Sequence, residues 1–133
     1  MFKIRILTEA DYITLVEWWK WFRFPAPEKE FLPNNGTGGI MVEKDGVEIC
    51  AGFIYFTNSK FSLLEYVVSN PDYRDIDRND AVQLLVSELT ELARRKGFKA
   101  VFSSLKHENL MKNYEACGYS RGSNNTTEMI IKL

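Results

Sequence analysis

The sequence predicts an α/β fold built on one mixed sheet, and three features carry that reading. Asp45-Gly46 separates two apolar runs, Gly39–Glu43 and Val47–Phe56. It reads as a tight hairpin turn, because both central positions tolerate positive φ. Asn58-Ser59 makes the next turn and Phe61–Val68 the next strand, so these three strands form an antiparallel meander. Val82, Leu85, Val86, Leu89, Leu92 and Ala93 then recur at helical spacing. A crossover helix sets the following strand, near Ala100–Ser104, parallel to the strand at 61–68. The meander strands are apolar on both faces, so helices should cover both sides of the sheet.

The remaining elements can be placed in chain order. Lys3–Leu7 alternates as a short strand. Thr8-Glu9-Ala10-Asp11 fits a capping box, in which the threonine hydroxyl caps a helix N–H and Asp11 reaches back. A helix through about Phe22 puts Tyr12, Leu15, Trp18, Trp19 and Phe22 toward the core. Pro25 and Pro27 end it. Residues 25–39 read as a loop with one short helical turn around Glu28–Phe31. Gly97 suits the position just past the end of the helix 78–96. Glu108–Ala116 is a short helix with Leu110, Met111, Tyr114 and Cys117 on one side, and Thr126–Lys132 alternates as a closing strand.

Composition narrows the function classes. The chain has 133 residues, which suggests one domain spanning 1–133. Its formal net charge of −1 argues against a nucleic-acid footprint. No apolar run approaches the roughly 20 residues of a membrane span, and the first residues lack a signal-peptide core. Two cysteines, Cys50 and Cys117, fit a reducing compartment, so a cytoplasmic location is expected. One histidine, His107, rules out a multi-histidine metal site, and no Cys-x-x-Cys spacing occurs.

The segment Pro71-Asp72-Tyr73-Arg74 ends the strand Leu63–Val68, a helix comes next, and Tyr114-Glu115-Ala116-Cys117-Gly118-Tyr119 lies after the next strand. This order resembles the cofactor half of the GNAT superfamily of N-acetyltransferases. The resemblance implies a sheet of about six to seven strands with helices on both faces. It also implies a splayed parallel pair, here 61–69 and 99–105, with the pantetheine arm of acetyl-CoA in the gap. The pyrophosphate would sit on the N-terminus of the next helix, where free N–H groups and the helix dipole favour an anion. The family's loop reads Arg-x-x-Gly-x-Gly/Ala. Here it reads Arg74-Asp75-Ile76-Asp77-Arg78-Asn79, followed by Asp80, with both glycine positions lost. Arg74 matches the basic position and Arg78 offers a second charge. Asp77 or Asn79 as N-cap would occupy the N–H groups a phosphate needs. The segment is therefore either a weakened phosphate loop or a well-capped, solvated helix start.

The resemblance also assigns candidate roles. Glu65 matches a glutamate that serves some members as general base; the other reading is an ion-paired or rim strand glutamate. A base is needed because an acceptor ammonium must lose a proton before it attacks a thioester. Desolvation raises a carboxylate pKa toward that task. Tyr114 matches the tyrosine that protonates the departing thiolate, or else it is a core aromatic paired with Leu110. Backbone N–H groups near Val67, Val68 and Ser69 would steady the oxyanion. His107 stands where the family has an asparagine on the cofactor arm, with Asn109 two residues on; it either contacts coenzyme A or starts the helix. Cys117 reads as packed helix residue rather than nucleophile. Trp21 and Phe24 point onto the 25–39 loop, either packing it or forming an aromatic acceptor pocket.

Two functional readings result. The first is acetyl transfer from acetyl-CoA to an unidentified primary amine by direct attack. The second is a non-catalytic interaction or structural protein on the same fold, as in some virus-borne relatives, with coenzyme A binding weakened or lost. An acyl-CoA sensor lies between them. The resemblance leaves the acceptor open and makes a homodimer one option.

Overall fold

The computed structural model describes all residues, Met1–Leu133. In chain order the elements are β1 (Lys3–Ile6), α1 (Asp11–Trp21), two 3-10 turns (Lys29–Phe31 and Pro33–Gly36), β2 (Gly39–Lys44), β3 (Val47–Tyr55), β4 (Phe61–Ser69), α2 (Arg78–Arg95), β5 (Ala100–Phe102) and α3 (Glu108–Ala116). The strands form one mixed sheet in the order β1-β2-β3-β4-β5. Neighbours run antiparallel up to β4, and β4 pairs with β5 in parallel. The turn at Asp45-Gly46 has φ of 51° and 78°, the left-handed values its residues accommodate. No helix is long and apolar enough to cross a membrane.

Each face of the sheet has its own core. On one side α2 places Leu85, Val86 and Leu89 against Val42, Ile49 and Leu64, and Tyr114 of α3 joins this layer. On the other, Leu15, Trp18 and Trp19 of α1 pack on Met41, Ala51, Phe53 and Val68. Phe22 does not join them and is 42% exposed. The helix ends at Trp21, so helical phase no longer aims the next side chain inward. Phe22 instead meets Trp21 edge-on, with ring centroids 4.9 Å apart.

The start of α1 is only half a capping box. Asp11 reaches back and accepts the Thr8 backbone N–H at 2.7 Å. The Thr8 hydroxyl donates to Asp11 at 3.1 Å instead of capping the helix, and Ala10 is the N-cap residue. Arg5 explains the difference. Its guanidinium grips Asp11 at 2.7 and 2.8 Å, and also reaches Glu43 at 2.8 Å and Glu48 at 2.6 Å. One arginine thereby ties β1, β2, β3 and α1 together.

The sheet has five strands, fewer than the six to seven expected, because Thr126–Lys132 forms no strand. Its alternation suits a strand, but a strand needs a ladder partner. Instead Glu128 accepts the Ser104 hydroxyl at 3.1 Å and Lys132 pairs with Glu28 at 2.8 Å. Met129, Ile130, Ile131 and Leu133 are exposed.

Candidate functional site

The cleft originates in β4. Ala51 lies opposite Val68 and Phe53 opposite Glu65, so Gly52 alone faces both Tyr66 and Val67. This is a β-bulge, and Tyr66 takes φ of 60° to make it. A Cβ on Gly52 would stand 3.0 Å from Val67 Cγ2 and 3.2 Å from Leu89 Cδ1, so the bulge packs where only glycine fits without a shift. On its other side β4 pairs with β5 only through Phe61, Ser62 and Leu63, although it runs on to Ser69. Beyond Leu63 the two parallel strands diverge. A cleft of about 430 Å³ opens there.

Glu65 is half-buried on the cleft wall. Its carboxylate accepts the Ser104 backbone N–H at 3.1 Å. Burial pushes its pKa up, more than the hydrogen bond from the Ser104 backbone N–H pulls it down. Tyr114 is 2% exposed, yet it too lines the cleft. Its hydroxyl lies 2.9 Å from Ser103 Oγ. Ser103 gives its own proton to the Leu64 carbonyl at 2.5 Å, so Tyr114 is the donor of the pair. Burial raises the Tyr114 pKa and keeps the phenol protonated. Ser103 thus holds the tyrosine hydroxyl beside the strand that carries Glu65.

At the start of α2 the acidic residues do not act as caps. Asp77 is the N-cap residue, but its side chain makes no bond to the helix N–H groups. One carboxylate oxygen takes Lys44 Nζ at 2.6 Å and the other takes the Tyr73 hydroxyl at 2.7 Å. Asn79 is also otherwise engaged: its Oδ1 accepts the side-chain amides of Asn109 and Asn113, each at 3.2 Å, and links α2 to α3. No side chain therefore caps the first turn of α2.

The remaining sequence candidates fall into two groups. Val67, Val68 and Ser69 line the cleft from β4, Arg78 and Asn79 from α2, and His107 and Asn109 from the start of α3. His107 is the N-cap residue of α3 and makes no side-chain cap bond. Arg74, Asp75, Ile76, Asp77 and Asp80 lie outside the lining. Arg74 donates to the Pro71 carbonyl at 3.2 Å, and Ile76 is fully exposed. Cys117 donates to the Gln83 carbonyl at 3.3 Å, a packed position between α3 and α2. Cys50 is buried, which pushes its thiol up to about 12.

Sequence reasoning missed Ser103, Ser104 and Glu128. The two serines follow β5 and precede α3, and a pair of polar residues after an apolar strand was their only signal. Glu128 was hidden in an alternating run. The aromatic wall is also clearer in three dimensions. Trp19, Phe22, Phe24 and Tyr66 border the cleft, with Tyr66 at 6.3 Å from both Trp19 and Phe24, edge-on to each.

No protein-family model matches the chain, and no curated protein matches its sequence. Solved structures do match. The ribosomal-protein-S18-alanine N-acetyltransferase of Escherichia coli superposes with a TM-score of 0.73 at 18% identity, over 92% of this chain and 80% of that one. Glucosamine-6-phosphate N-acetyltransferase from Arabidopsis thaliana gives 0.68 at 19% identity, over 98% of this chain and 99% of that one. N-acetylglutamate synthase from Neisseria gonorrhoeae, solved with coenzyme A and N-acetyl-glutamate, gives 0.69 at 16% identity, over 87% of this chain but 28% of that one. The chain therefore has the fold of the GNAT N-acetyltransferases.

Proposed function

We propose that this protein is an N-acetyltransferase that moves acetyl from acetyl-CoA to a primary amine by direct attack. The observation that carries the reading is the convergence of Glu65 and Tyr114, through Ser103 and Ser104, on the gap between β4 and β5. The groups in that gap suit the cosubstrate. Beyond Leu63 the β5-facing edge of β4 has no ladder partner, so its amides are available to a pantetheine arm. The first turn of α2 is free of side-chain caps, and Arg78, its first residue, lines the cleft where it would meet a pyrophosphate.

In this reading Glu65 takes a proton from the acceptor ammonium. The freed nitrogen attacks the thioester carbonyl, the C–N bond forms, and the C–S bond breaks. The departing thiolate takes the Tyr114 proton, and the proton shed by the nitrogen restores it. A backbone N–H of Val67–Ser69 steadies the oxyanion. The chain works as one domain and needs no covalent enzyme intermediate.

The glycine-less loop keeps a second reading alive, a non-catalytic protein on this fold, since a fold does not fix an activity. Isothermal titration with acetyl-CoA separates the two. Saturable binding of acetyl-CoA and coenzyme A, but not ATP, at modest affinity is expected. No heat at millimolar acetyl-CoA would favour the non-catalytic reading.

A further inference from the structure

We infer that the acceptor is a dicationic amine on an aromatic or apolar frame, with Glu128 holding the ammonium that does not react. The inference rests on the acetyltransferase reading and names the acceptor class of that same cleft. Two carboxylates meet at one residue: Glu65 accepts the Ser104 backbone N–H at 3.1 Å, and Glu128 accepts the Ser104 hydroxyl at 3.1 Å. Neither forms an ion pair, and Glu65 lacks one although it is half-buried. The cleft's own cations, Arg78 and Lys106, pair with neither glutamate. Two like charges sharing a rim repel, and a ligand bearing two positive charges removes that repulsion. A ligand bearing a carboxylate adds to it.

The walls complete the chemistry. Trp19, Phe22, Phe24 and Tyr66 give an apolar, π-rich surface to the same cleft. Such rings attract a cation over their faces and pack a flat or apolar body. One ammonium is thus placed at Glu65, where it loses its proton and reacts. The second stays charged at Glu128. A site built around a specific charge rejects ligands that lack it, because its own group is then left unpaired.

The test uses the full chain and three amines of matched shape: para-xylylenediamine, para-methylbenzylamine and para-(aminomethyl)benzoate. Calorimetry should give the diamine at least about tenfold tighter binding than the monoamine, with the benzoate weakest. Glu128→Gln, an exposed substitution, should cut diamine affinity about tenfold and bring the diamine-to-monoamine ratio to within about twofold. Equal affinities, no diamine binding, or a preference untouched by Glu128→Gln would overturn the inference. The outcome is separable from the activity itself. Selective diamine binding without any acetyl-CoA binding would defeat acetyl transfer and leave the dicationic site standing. Turnover that treats monoamine and diamine alike would uphold acetyl transfer and defeat the dicationic site.

Discussion

Glu65 and Tyr114 are each held by a serine. Ser104 fixes Glu65 through a backbone N–H, and Ser103 fixes the Tyr114 hydroxyl at 2.9 Å. This arrangement sets the expectations for single substitutions. Burial raises the Glu65 pKa, so the acidic limb of kcat/KM should lie above the usual glutamate range. The rate should rise with pH through that limb, because the base must be ionised. Glu65→Gln should lower kcat by about a hundredfold or more and erase the limb. A retained limb would assign it to another group. Tyr114→Phe removes only the hydroxyl from a buried ring. It should lower kcat by about a hundredfold while KM for acetyl-CoA changes little. Steady-state kinetics with a thiol-detecting reagent reads both, and an unchanged kcat in the phenylalanine variant would return Tyr114 to the core.

At the scale of elements, the features legible in the sequence were local and periodic. The helical stripe of α2, the Asp45-Gly46 hairpin and the parallel crossover come from spacing and turn chemistry. The bulge at Tyr66 did not, because it depends on how β3 and β4 align, and a left-handed tyrosine carries no sequence signal. The fate of Asp77 was equally hidden. Read locally, it caps α2; in the fold, Lys44 from β2 and Tyr73 draw its carboxylate away. A residue on the preceding strand also decides how α1 begins. Arg5 holds Asp11 well below its ordinary value of 3.8, at about 2. The folded state therefore binds fewer protons, and the stabilisation is complete above about 3.8 and lost as pH falls through about 2. It amounts to roughly 2 kcal/mol at neutral pH. Asp11→Asn should be less stable than wild type by at least that at pH 7, since Arg5 loses a partner. Urea melts at stepped pH should show the gap closing between about pH 4 and pH 2. A gap that stays constant would mean that packing, not ionisation, sets the loss.

At the scale of the molecule, the two cores are complete by Tyr119, and beyond it only Glu128 reaches the cleft. No residue from Ser120 to Leu133 is buried, and none joins either apolar layer. The links from residues 126–133 back to the fold are Glu128 to Ser104 and Lys132 to Glu28. Exposed contacts of this kind contribute little to stability. A chain ending at Asn125 should therefore melt within about 2 °C of the full chain, since the conversion is only a few degrees per kcal/mol at this size. It should also keep its acetyl-CoA affinity, because the gap between β4 and β5 and the start of α2 are untouched. It should lose the selectivity for a second positive charge, which Glu128 supplies. A thermal melt on the shortened chain, and calorimetry with acetyl-CoA, para-xylylenediamine and para-methylbenzylamine, check the three. A large fall in melting temperature would show that the alternating run Thr126–Lys132 finds a ladder partner in solution, and would assign it to the sheet rather than to the rim.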